Sequence, residues 1–219
     1  MPLWTPQLIH LGAALLLLTS FAMLSQRRIL SLVNLFAWQG LILSASTAIV
    51  AFTSGQPHLY ISAVLSLVLK VILLPWILHL LIRRLNVHFD TEPLLNIPTT
   101  MLVGLLLVIF AFALSQPLAA LSAGSASNTL GIALAVVMLS FLMMITRRKA
   151  VSQVVGFLAM ENGLFFAAVS ATHGMPMVVE LGVGLDVLVG TLILGVFFFQ
   201  IREQFDSLDL RHLETLKED

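Results

Sequence analysis

The chain of 219 residues is 59% hydrophobic and only 10% charged, with 11 basic and 11 acidic residues and a mean hydropathy of +1.03. A soluble domain carries roughly 25% charged residues, so this composition excludes a soluble enzyme and a nucleic-acid-binding protein. There is no cysteine, which removes disulfides, thiolate-bound zinc and iron–sulfur ligation, and the six histidines have no metal-ligand spacing.

A membrane-spanning helix needs about 20 mostly apolar residues. The sequence divides into seven such pieces, at 3–25, 29–53, 59–82, 99–121, 129–146, 150–173 and 177–201. The expected fold is therefore all-α, a polytopic membrane protein of about seven transmembrane helices. The first piece has no basic residue before it and no small-residue cleavage site after it, so it is expected to remain as a helix. The polar stretch from Arg202 to Asp219 reads as a solvated tail.

The basic residues at the breaks fall on one side of the membrane. Arg27 and Arg28 follow the first span, Arg83 and Arg84 the third, Arg147, Arg148 and Lys149 the fifth, and Arg202 the seventh. The intervening turns on the other side contain neither Lys nor Arg. The positive-inside rule then puts the amino terminus outside and the carboxyl terminus in the cytoplasm.

Two stretches run parallel in pattern. One passes from Arg27-Arg28 through Trp38-Gln39-Gly40 to a helix centred on Lys70. The other passes from Arg147-Arg148-Lys149 through Met160-Glu161-Asn162-Gly163 to a helix centred on Asp186. Gln39 and Glu161 sit at equivalent depths, as do Lys70 and Asp186. Two three-helix units of one orientation need an extra crossing between them, which the fourth span supplies. The expected division is an amino-terminal membrane unit at 1–84, a cytoplasmic loop and linking helix at 85–128, a second membrane unit at 129–201 and the tail at 202–219.

The chemistry rests on four charges inside the spans: Lys70, Glu161, Glu180 and Asp186. Each costs on the order of 2.5–3.5 kcal/mol to place mid-membrane, so it is expected to face protein or water and to have its charge or proton used. Gln39 and Asn162 are supporting polar groups. Glu180 and Asp186 are six apart, about 600° around a helix, and project from different faces. Pro75 lies five residues beyond Lys70, so the carbonyl of Leu69 or Val71 is expected to lose its donor and open a kink for water or a facing carboxylate. The bland alternative is a structural ion pair between Lys70 and either Glu161 or Asp186. His10, His79 and His173 lie toward span ends and read as interfacial groups. No cofactor or metal motif is present.

Arg147 to Arg202 resembles the NuoK-type subunit of respiratory complex I and the small subunit of Mrp-type sodium/proton antiporters. The resemblance implies two membrane-embedded carboxylates on successive helices. Glu161 in Met160-Glu161-Asn162-Gly163 matches the first. Asp186 in Gly184-Leu185-Asp186-Val187-Leu188-Val189-Gly190 matches the second, with Asp in place of the usual Glu. The whole chain, with its order Lys70, Glu161, Glu180, Asp186, resembles the component E family of hydrogenase-4. In the amino-terminal half Gln39 and Lys70 stand where the NuoK type has carboxylates, so a two-carboxylate relay does not carry over there.

The resemblance implies a non-catalytic membrane-arm subunit in a bacterial or archaeal cytoplasmic membrane, with proton transfer through Glu161, Asp186, Lys70 and Glu180. The implied partners are antiporter-like and NuoH-like membrane subunits, and nickel–iron hydrogenase and iron–sulfur subunits that carry the redox centres. No nucleic acid and no cofactor of its own are expected. Two other readings stand beside it: an accessory subunit of a cation/proton antiporter, and a scaffold whose buried charges are only ion pairs.

Overall fold

The computed structural model describes residues 5–55, 57–84, 95–121, 127–172, 182, 184–185 and 187–193. The described residues form helices and no strand: α1 (Thr5–Ser25), α2 (Ile29–Ser54), α3 (Pro57–Ser66), α4 (Leu74–Arg84), α5 (Ile97–Leu121), α6 (Ser127–Thr146) and α7 (Ala150–Thr172). A π-helical stretch, Leu67–Leu73, joins α3 to α4, and the three run as one span from Leu59 to Arg83. Six spans among the described residues are long and apolar enough to cross a membrane. The expected seventh span lies partly outside the described residues, although 187–193 are helical.

Local chemistry sets the breaks. Gly55 ends α2 in the left-handed region (φ 65°) and returns its N–H to the Ala51 carbonyl, a conformation that costs glycine no Cβ clash. Pro57 then opens α3, where its missing N–H would have had no helical partner anyway. Pro98 plays the same part in the first turn of α5.

Of the two carbonyls named for Pro75, that of Leu69 keeps a donor, because the Leu74 N–H reaches it in the wide i−5 pattern. The backbone absorbs the proline as a π stretch centred on Lys70.

Helix α2 is the centre of the bundle, packed on α1, α7 and the α3–π–α4 rod; α6 packs between α1 and α7, and α5 lies outermost on α6. Inside, the apolar core falls into two layers. One holds Met23, Leu24, Phe36, Leu78, Met143 and Leu158. The other holds Ala13, Leu16, Leu43, Leu59, Val136 and Phe166. On α1, α2, α7 and the rod the two layers are separated along the chain, and the gaps hold buried polar residues: Ser20, Gln39, Lys70, Glu161 and Asn162. The fold thus encloses one polar layer between two apolar ones.

Candidate functional site

The site is built from four elements that meet in the polar layer. Lys70 projects from the π stretch and is fully buried. Its Nζ donates to Glu161 Oε1 at 2.8 Å and to Asn162 Oδ1 at 2.8 Å. Consecutive residues on α7 are about 100° apart, so Glu161 and Asn162 grip the ammonium from two directions. Phe165, one turn beyond Glu161, sets its ring centroid 5.5 Å from the same Nζ, within cation–π range.

The polar contacts continue away from the ion pair. Asn162 Nδ2 donates to Gln39 Oε1 at 3.2 Å, and Gln39 Nε2 donates to Ser20 Oγ at 2.9 Å. Ser20 Oγ in turn donates to the Leu16 carbonyl at 2.8 Å. One continuous chain therefore links the rod, α7, α2 and α1. A buried ion pair is tolerated only where such hydrogen bonds offset the loss of water.

Close packing makes the geometry possible. A Cβ at Gly40 would stand 2.9 Å from the Lys70 Cβ, so α2 and the π stretch meet at a glycine. Ser44 Oγ, one turn on from Gly40, donates to the Ala63 carbonyl at 2.7 Å and ties α2 to α3 as well.

Four of the candidate residues come together here: Lys70, Glu161, Asn162 and Gln39. Between the two partners considered for Lys70, the described residues include Glu161, and its bond to Lys70 is made. Glu180 and Asp186 lie outside the described residues, as does His173. His79 is engaged locally, its Nδ1 2.8 Å from the Pro75 carbonyl.

Sequence reasoning missed Ser20, Phe165 and Gly40. Ser20 follows Thr19 in α1, and nothing in the pattern distinguishes the hydroxyl that faces Gln39. It also treated Arg147 as one more loop charge, whereas the residue is only 2% exposed. Its Nη2 donates to the carbonyls of Leu24 and Gln26, each at 2.8 Å, which closes the carboxyl end of α1. Burial lowers its affinity for the proton, but a guanidinium keeps its charge in proteins.

No family model matches the sequence, and no solved structure does. Among curated proteins, Uncharacterized protein Rv0085 of Mycobacterium tuberculosis is 33% identical over 212 residues, which covers 96% of each chain. Hydrogenase-4 component E of Escherichia coli K12 is 24% identical over 205 residues, 94% of this chain and 95% of that protein. The protein of the same name from Shigella flexneri matches to the same extent, 24% over 205 residues.

Proposed function

The chain belongs to one family with the mycobacterial protein Rv0085, and on that premise we propose that it is a non-catalytic membrane subunit of a hydrogenase-related complex that takes part in proton translocation and in assembling the membrane arm. Similarity to hydrogenase-4 component E over nearly the full length of both chains supports the kind of complex. The observation that carries the mechanism is the buried ion pair between Lys70 and Glu161.

The elementary step is short. A proton moves from Lys70 Nζ to Glu161 Oε1 across a 2.8 Å hydrogen bond. One N–H bond breaks and one O–H bond forms, the nitrogen keeps the electron pair, and both charges vanish together. Glu180 and Asp186 are proposed as further carriers. Redox chemistry belongs, on this reading, to partner subunits that hold the nickel–iron and iron–sulfur centres.

The proposed architecture is two parallel three-helix units, 1–84 and 129–201, joined by the crossing at 85–128. The packing of α1 on α6 and of α2 on α7 supports it. The proposed orientation has the amino terminus outside and the loops bearing Arg27, Arg83 and Arg148 in the cytoplasm.

The test is purification of the tagged chain in mild detergent with mass spectrometry of its partners, followed by proton-uptake assays on the Glu161→Gln complex. Co-purification of a hydrogenase large subunit is expected, with proton movement lost and peripheral hydrogen chemistry kept. A chain that purifies alone, or a Glu161→Gln complex that moves protons normally, overturns the proposal.

A further inference from the structure

The hydrogen-bond chain that leaves Lys70 has a direction, and that direction is set at its far end. A carboxamide offers an acceptor on one side and donors on the other, so its neighbours decide how it turns. Ser20 spends its only O–H on the Leu16 carbonyl and keeps lone pairs for anything else. Gln39 must therefore turn Nε2 toward Ser20 and Oε1 toward Asn162. Asn162 then has to give Nδ2 to Gln39, which leaves Oδ1 aimed at Lys70 Nζ. A lysine ammonium has donors and no acceptor, so both ends of the chain require the same sense. Every link agrees.

Two carboxamides in series also stop a proton. Neither Gln39 nor Asn162 titrates, so nothing passes from Lys70 toward Ser20 by this route, and the chain is a brace. Among the described residues, α7 brings the carboxylate of Glu161 to Lys70, while α1, α2 and α6 contain no Lys, Arg, Asp or Glu. We propose that Ser20 and Gln39 are positioning residues which, acting through Asn162, hold the Lys70 ammonium on Glu161 Oε1. The proposal rests on the reading of this pair as a proton-transfer site.

An infrared pH titration of the full chain in nanodiscs tests it. The carboxylic-acid C=O band of Glu161 is the one lost in Glu161→Gln. In Ser20→Ala and Gln39→Met that band is expected to appear at a pH about one unit higher than in the wild type, the scale of one charge-assisted hydrogen bond. Ser20→Thr, which keeps a hydroxyl able to reach the same carbonyl, is expected to restore the wild-type position. Thermal unfolding of the same samples separates the alternatives, because a merely structural role lowers the melting temperature and leaves the band where it was. A wild-type band that titrates normally and does not move in either variant overturns the positioning role and leaves the proton-site reading standing. A Glu161 band that never appears between about pH 4 and 10, a window spanning ordinary Glu and Lys titration, overturns both. Gln39→Met preserves side-chain volume, so it keeps the test open if Ser20→Ala does not fold.

Discussion

Gly40 of α2 lies directly against Lys70: a Cβ at position 40 would stand 2.9 Å from the Lys70 Cβ and 3.3 Å from its carbonyl carbon and oxygen. Two of those three atoms are backbone, so no side-chain rotation relieves the clash. The approach lets α2 and the π stretch pack closely where Gln39 and Lys70 both reach Asn162. Gly40→Ala is therefore expected to push the rod outward and to destabilise the protein by about 1–3 kcal/mol, the usual cost of overpacking. Thermal unfolding in detergent checks this, and a melting temperature at or above the wild type would show that the contact is slack.

Glu161→Gln alone should be more damaging than removal of both charges. It leaves Lys70 buried beside a neutral amide, and breaking a buried pair from one side costs about 3–5 kcal/mol. The double variant Lys70→Met with Glu161→Gln is expected to recover most of that stability while proton movement by the complex remains abolished. If the double variant moves protons at the wild-type rate, the pair is a structural staple and the scaffold reading replaces the relay.

Arg147→Ala should loosen the cytoplasmic end of α1. The Leu24 and Gln26 carbonyls each lose a charged donor at 2.8 Å, a loss of about 2–3 kcal/mol in all. Limited proteolysis at the loop between α1 and α2 reports the change, and unaltered cleavage would speak against the cap. The contribution should not depend on pH near neutrality. The folded state holds this proton less tightly than the unfolded chain does. Stability would therefore rise with pH only where the guanidinium deprotonates, far above the neutral range.

Because the chain has no cysteine, single introduced thiols report sidedness without background. Arg148 and Gln7 are both exposed. With the proposed orientation, an impermeant maleimide should label Arg148→Cys only from the cytoplasmic face and Gln7→Cys only from the outer face. The reverse pattern would invert the topology and remove the basis for reading the Arg-bearing loops as cytoplasmic.

The six described spans were legible residue by residue because crossing a bilayer is a local property, set by the length and polarity of one segment. The same holds for Lys70 and Glu161, which stand out in apolar surroundings whatever their neighbours are. Their pairing was not legible. It depends on how the rod and α7 are rotated about their own axes, and apolar residues on every side leave a helix without a sequence signal for its rotation. Pro75 announced a disturbance, but only the folded backbone shows the π stretch in which the Leu69 carbonyl keeps a donor. Arg147 shows the same limit at the membrane edge: as one of three consecutive basic residues it reads as a surface charge, yet it turns inward to the end of α1. The sequence by itself determined the class, the spans and which residues carry charge into them. Only the tertiary structure decided which of those residues touch, because side-chain partnership is fixed by the relative rotation and spacing of helices far apart in the chain.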